Sequence, residues 1–598
     1  MLFGKHVNKF YGRYWYDFAL GIFFLIMVDV VQLAVPELLG NIVKIFDKGA
    51  PTFNQSIYDN FFTASVTEHN SFAFTLLALL IIGVLMFIGR SGWRFAINGL
   101  GINIDYDLRS EMFSHAEKLS VSYYKTKKTG TLMAVFNSDL EQVKSAFTDG
   151  TIFLIDFLVL GGLSLYRMFS ISWQITLACA IPLILMTFSG GLVGKIIMKK
   201  YDAQLTSFEK LSDFTQEDYS GIAVVKAFVR EKYQASKFHE QNADYKKKNI
   251  NYIRFSLALD SIIGLLINAV FVITIMVGSY QSLFGNSGLQ VSDLVKFVGY
   301  LDALIWPMFA IASLINIISK SYASLHKVDE FLDAPIDLKD TNDESGLPAF
   351  NGDVLFKDFN FAYPDNDKSM VLQNVTLHVK PGDNIGIVGR TGSGKSTLVK
   401  VLLKIYNIEE GHLFFNNVDI NKWPARDIRD NIGYVAQNAF LFSDQIRNNI
   451  AFGNSSLELD DVIKAADFAC VDNAINDFKE GYETVIGEKG TTLSGGQKQR
   501  IAMARAIVKD PMILILDDSV SAVDSDTEKK ILKNIKELRK GKTTFIVSSR
   551  ISSIEQMDNI ICMDEGRIVG IGSHEELLKS CPLYADIVHL QELEKEEK

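Results

Sequence analysis

Long apolar runs fill the first half of the chain, and short ones alternate with polar turns in the second. Six runs, at residues 18–39, 72–95, 147–169, 173–194, 255–283 and 291–318, come near or above the about 20 residues that a helix needs to cross a bilayer. They predict six membrane-spanning helices, and six such runs in one half of a chain argue against the buried helices of a large soluble protein. The segments 41–71, 170–172 and 284–290 are short or nearly neutral. The segments 96–146 and 195–254 are long and basic, with Lys118, Lys125, Lys127, Lys128 and Lys144 in the first and Lys195, Lys199, Lys200, Lys226 and Arg230 among those in the second. That bias places both long segments, the N-terminus and everything after Lys320 on the cytoplasmic side. Each keeps a helical period and is punctuated at its centre, near Gly130 and Gly221. Residues 1–16 carry Lys5, Lys9 and Arg13 beside Tyr11, Tyr14, Trp15 and Tyr16, which reads as an interfacial helix before the first span, with no cleavable leader pattern.

Beyond about residue 335 the period changes to short strands, turns and helices. The expected organisation is an all-α six-helix transmembrane domain over 1–335, a polar linker over 336–352 with Gly346 and Pro348, and an α/β phosphate-loop nucleotide-binding domain over 353–598.

Composition narrows this picture a little. A net charge of -10 over 598 residues argues against a nucleic-acid partner, which calls for a basic patch. The 4 cysteines, Cys179, Cys470, Cys562 and Cys581, show no metal-ligand spacing and predict neither a disulfide framework nor a zinc site. Ionisable residues inside the apolar runs are Asp29, Glu37, Arg90, Asp156, Asp260 and Asp302. Such groups are costly in lipid and face a bundle interior or water. Asp29, Asp260 and Asp302 are candidates for a cavity that accepts a cationic substrate; the alternative is that they pair with Arg90 and other helices. Pro182 and Pro307 are expected to bend their helices.

The chemistry is concentrated in the second half. Gly389-Arg390-Thr391-Gly392-Ser393-Gly394-Lys395-Ser396-Thr397 follows an apolar strand and opens a helix, the context a phosphate-binding loop requires. Its glycines let backbone N–H groups wrap the phosphates of ATP, Lys395 adds a point charge, and the Ser396 hydroxyl is a magnesium ligand. The apolar run Ile513-Leu514-Ile515-Leu516 ends in Asp517 and Asp518, so a buried strand delivers carboxylate to the same Mg2+ through Asp517. Tyr363 offers a ring that can stack on adenine, or a core residue.

Between these lies Leu493-Ser494-Gly495-Gly496-Gln497-Lys498-Gln499-Arg500 at the head of a helix. With the loop before it and the Asp517 strand after it, the chain resembles ATP-binding cassette (ABC) transporters, and six spans fused ahead of the cassette resemble the exporter half-transporter type. The resemblance implies that Tyr363 stacks on adenine and that Gln437 touches magnesium. It also implies that residues 521–524 and 487–490 are interface segments, and that the tips near Gly130 and Gly221 are coupling helices. Two cassettes then face head to tail, so that Ser494, Gly495, Gly496 and Gln497 act in trans on a nucleotide held by a second half-transporter. Members of the family carry Glu after the magnesium Asp and His at the end of a later strand; here Asp518 and Ser549 stand at those catalytic positions. Asp is one methylene shorter, which withdraws its carboxylate by roughly 1.5 Å, and a misplacement of about 1 Å costs on the order of a hundredfold in rate. This asymmetry resembles the degenerate-site subunit of heterodimeric bacterial multidrug exporters. It implies ATP-driven efflux of hydrophobic or cationic small molecules across the cytoplasmic membrane by a complex with a competent partner. A regulatory or channel-like subunit and a lipid or peptide exporter are the alternatives.

Overall fold

The chain folds into two units, Met1–His115 with Leu132–Asp333, and Ala116–Thr131 with Ala334–Lys598. The computed structural model describes residues 3–48, 71–127, 129–284, 289–341, 346–364, 369–487, 493–520 and 523–596. The segment 487–490, apart from Gly487, and the pair Ser521-Ala522 lie outside these.

Among the described residues the first unit is built of helices. Helices Ser71–Ala116, Trp173–Ser220, Glu231–Phe284 and Val291–Leu332 run for 46, 48, 54 and 42 residues. At about 1.5 Å per residue the longest spans roughly 80 Å, well over twice the apolar slab of a bilayer. The polar ends seen in the sequence are therefore continuous extensions of the apolar helices. Phe87 and Phe95 are 73% and 82% exposed. Apolar surface of this kind has no gain to make from water and suits lipid.

Among the described residues, five helices are long and apolar enough to cross a membrane: Trp15–Lys44, Thr75–Ala116, Thr129–Ile171, Glu231–Phe284 and Val291–Leu332. The expected run at 173–194 falls in helix Trp173–Ser220, of which Trp173–Met186 is the described apolar part; the side chains of residues 187–195 lie outside the described residues. The basic start forms helix Asn8–Arg13. Its cations are matched within the unit, Lys9 to Glu111 at 2.5 Å, Arg13 to Asp107 at 2.6 Å and Lys5 to Asp333 at 2.5 Å. Pro182 and Pro307 both lie inside helices.

The second unit has two sheets. The strands are β1 Val354–Phe361, β2 Leu372–Val379, β3 Asn384–Gly389, β4 Leu413–Phe415, β5 Val418–Asp419, β6 Ile432–Val435, β7 Ile513–Asp517, β8 Thr543–Val547, β9 Asn559–Asp564 and β10 Arg567–Gly572. An antiparallel sheet runs β2-β1-β4-β5, and a six-stranded sheet runs β10-β9-β3-β8-β7-β6. In the larger sheet β9, β3, β8, β7 and β6 pair in parallel and β10 closes the edge antiparallel.

The period of two along β7 explains why every one of its residues is buried. Ile513 and Ile515 enter a core shared with the antiparallel sheet, including Phe356, Phe415 and Trp423. Leu514 and Leu516 enter a second core built from helices, including Ile501, Met503 and Ile531. A strand covered on both faces has no solvent side, so its sequence reads as a continuous apolar run. The run stops at Asp517 because the strand's end is where the sheet meets polar chemistry.

Candidate nucleotide site

β3 ends at Gly389, whose φ of +154 and close packing admit no side chain: a Cβ there would lie 2.1 Å from the Met563 carbonyl oxygen. The loop turns back and Gly394, with φ +96, becomes the residue before helix Lys395–Lys400. Only glycine holds that left-handed geometry cheaply, and a Cβ would also press on Val371 O at 3.1 Å. The loop conformation is thus set by its backbone, and its N–H groups are presented as a fixed cradle.

Lys395 arcs back across the loop, its Nζ donating to Gly389 O and Arg390 O, both at 2.8 Å. Partial burial holds its ammonium below the usual lysine range, and the carboxylates of Asp518 and Asp517 offset part of that effect. A lysine partly withdrawn from water and held by carbonyls gains from an arriving phosphate. Ser396 Oγ donates to Asp517 Oδ1 at 2.7 Å, and the Tyr434 hydroxyl donates to Asp517 Oδ2 at 3.3 Å. Burial, followed by the Asp517 carboxylate, pushes the Tyr434 phenol well above its ordinary range. It stays a donor and orients Asp517.

Asp518 begins the loop after β7 with φ +49. Its N–H is tied to Val547 O at 2.8 Å, and its Oδ2 accepts from Gln437 Nε2 at 3.2 Å. Ser549 lies just beyond β8, next to β7 and β3 in the sheet. Its side chain is exposed, and its carbonyl accepts from Gln591 Nε2 at 2.7 Å. The Tyr363 hydroxyl bonds Thr397 Oγ1 at 3.0 Å, which anchors the ring beside the loop. The structure brings Lys395, Ser396, Asp517, Asp518, Gln437 and Tyr363 together around the loop.

The Ser494 stretch is built differently. Ser494 caps helix Gly495–Ile507 in a reciprocal box: its Oγ accepts from Gln497 N at 3.2 Å, and Gln497 Oε1 accepts from Ser494 N at 2.9 Å. Ser494 and Gly495 are exposed, and a Cβ on Gly495 would meet nothing within 4 Å. Asp524 caps the later helix Ser525–Leu538 by accepting from Thr527 N.

Three supports were missed in the sequence. Gln499 Nε2 donates to Gln437 O at 3.2 Å and Ala436 O at 3.4 Å, tying the signature helix to the Gln437 segment. Arg505, from the same helix, donates to Asn449 O at 2.7 Å, Asn449 Oδ1 at 2.8 Å and Phe440 O at 2.9 Å; burial lowers its guanidinium to about 10. Gln591 clamps the Ser549 turn from the other side, its Oε1 accepting from Ile551 N at 2.9 Å. A polar residue on a helix carries no mark of such a partner; only the apolar period of the C-terminal helix hints that it packs at all.

The acidic residues of the first unit separate. Glu37 is bound by Lys296 at 2.5 Å and Tyr300 at 3.0 Å, and Asp156 accepts from Trp306 Nε1 at 2.6 Å. Asp29 is 3% exposed, whereas Asp260 and Asp302 are exposed. Arg90 donates to Gln32 at 3.4 Å.

A helical membrane unit and a phosphate-loop cassette in one chain define an ATP-hydrolysing transporter, and the chain belongs to the ABC transporter family. Residues 18–308 match the ABC transporter transmembrane region and residues 372–521 the ABC transporter domain. It is 35% identical to the probable multidrug resistance ABC transporter ATP-binding/permease protein YheI of Bacillus subtilis, over 98% of this chain and 97% of that protein. It is 31% identical to the multidrug resistance-like ATP-binding protein MdlA of Escherichia coli, over 98% and 96%. Its fold is that of a bacterial Atm1-family ABC exporter solved with ATP bound, with a TM-score of 0.77 and 22% identity over 98% and 99% of the two chains. The protein is a membrane protein that binds and hydrolyses ATP.

Proposed function

We propose that this chain is one unequal half of a heterodimeric exporter in the cytoplasmic membrane, with six spans and with its N-terminus and cassette in the cytoplasm. It moves hydrophobic, amphipathic or cationic compounds outward. The single observation that carries the asymmetry is the pair Asp518 and Ser549 at the end of the parallel sheet. Hydrolysis needs water to attack the γ-phosphorus while the bond to the ADP oxygen breaks. Asp518 is the carboxylate nearest in sequence to that task, yet it is short and is already held by Gln437 at 3.2 Å. Ser549 brings no imidazole to the γ-phosphate.

Ser396 and Asp517, converging at 2.7 Å, form the hard oxygen set that suits Mg2+ alongside nucleotide phosphates and water. When bound, the ion neutralises charge on the β- and γ-phosphates. Lys395 and the loop amides hold the triphosphate. This chain's own loop therefore retains ATP and turns it over slowly. Its Ser494-Gly495-Gly496 head, with Ser494 and Gly495 exposed, completes a competent site on the partner.

The test compares the purified chain with a complex containing a second half-transporter that carries Glu and His at the positions of Asp518 and Ser549. The expected outcome is weak ATPase from the lone chain and strong, substrate-stimulated ATPase from the pair. Strong turnover by the lone chain would sink the proposal.

A further inference from the structure

Segment Ala116–Thr131 groups with the cassette unit, although in sequence it joins helices of the other unit. Its short helix, Val121–Thr126, carries the exposed Lys125. The Lys125 Nζ lies 4.2 Å from the centroid of the Tyr363 ring and 5.4 Å from that of Tyr406. Those two rings meet edge-on, with centroids 5.3 Å apart and an interplanar angle of 79°. An ammonium at this distance is held by the negative faces of the rings.

Tyr363 is fixed in place. Its hydroxyl is tied to Thr397, and the residue packs against the core of the domain. Lys125 stands over one face of that ring. A purine stacks in van der Waals contact with an aromatic face, and an ammonium over that face occupies the same space. A base stacking on the face that Lys125 covers would compete with the lysine for it.

We propose that Lys125 is a displaceable cover on the adenine platform. Adenine arriving on Tyr363 expels the lysine, so the segment between two membrane helices senses whether the base is present. This rests on the reading of Tyr363 as that platform. Lys125 is a positioning residue here, since it acts through Tyr363.

The experiment measures equilibrium binding of a non-hydrolysable ATP analogue, AMP-PNP, and of inorganic tripolyphosphate to the full-length chain in detergent. The variants are Lys125→Ala, Lys125→Arg, Tyr363→Ala and the double Lys125→Ala/Tyr363→Ala. Lys125 is exposed, so its truncation leaves no cavity. Lys125→Ala should tighten AMP-PNP by about two- to fivefold, the size of an exposed cation–π contact. It should give no gain for tripolyphosphate, which has no base, and Lys125→Arg should restore wild-type affinity. In the Tyr363→Ala background the gain should vanish. An unchanged or weakened AMP-PNP affinity in Lys125→Ala, while Tyr363→Ala weakens binding, overturns the inference and leaves the platform standing. An equal gain for tripolyphosphate also overturns it. If Tyr363→Ala binds AMP-PNP as tightly as wild type, the platform reading falls and the inference falls with it.

Discussion

At the phosphate loop the polar side chains are engaged with one another: Lys395 with loop carbonyls, Ser396 and Tyr434 with Asp517, Gln437 with Asp518. At the head of helix Gly495–Ile507, Ser494 and Gly495 are solvent-facing, and Ser494 pairs with Gln497 in the local cap box. The first region is a cluster that the chain assembles from the ends of β3, β6 and β7. The second is an exposed helix start. Under the proposed heterodimer the difference teaches that the two regions serve different nucleotides, with Asp518 and Ser549 bearing on the first.

The comparison breaks most visibly if the first region is repaired. The double change Asp518→Glu and Ser549→His should raise the ATPase rate of the lone chain by roughly a hundredfold, the cost associated with a misplaced catalytic group. Steady-state phosphate release measures this; no gain would mean that something other than these two side chains limits the site. A smaller effect separates the regions within the paired complex. Ser494→Ala should lower ATPase by about tenfold, the loss of one hydrogen bond to a charged group, whereas Asp518→Ala should change it less than about twofold because that site already contributes little. Thermal unfolding recorded in parallel distinguishes the lost contact from the lost helix cap, which costs about 1 kcal/mol. The reverse order of the two variants would assign turnover to this chain's own loop.

The smallest effect concerns the clamp on the Ser549 turn. Gln591→Ala removes two hydrogen bonds, at 2.7 and 2.9 Å. It should lower cassette stability by about 1–2 kcal/mol while leaving the ATPase of the pair near wild type. A large fall in that ATPase would give the Ser549 turn a greater part in the partner's turnover than the asymmetry allows.

The phosphate loop was legible because its chemistry is local. The glycines, Lys395 and Ser396 are consecutive, and a strand and a helix flank them. The Asp517 strand was legible because a doubly covered strand must be apolar up to the point where it meets the site. The apolar runs were legible by length, although among the described residues only five helices carry a full span. The acidic residues of those runs were less so. One helix can carry an acid to the bundle interior and another to the outside, and Asp29 is buried while Asp260 and Asp302 are exposed. A residue's face depends on which helices neighbour it, and hydropathy does not record that.

By itself, then, the sequence determined the two-part architecture, the nucleotide cradle, the Ser494 helix start and the two departures at Asp518 and Ser549. Each of these is written in a stretch of a few neighbouring residues, where backbone geometry and period suffice. Only the tertiary structure decided that Gln499 reaches Gln437, that Gln591 holds the Ser549 turn and that Lys125 lies over Tyr363. Those pairs are separated by tens to hundreds of residues. Their contact follows from the order of strands in a sheet and the packing of helices on it, which no local pattern carries.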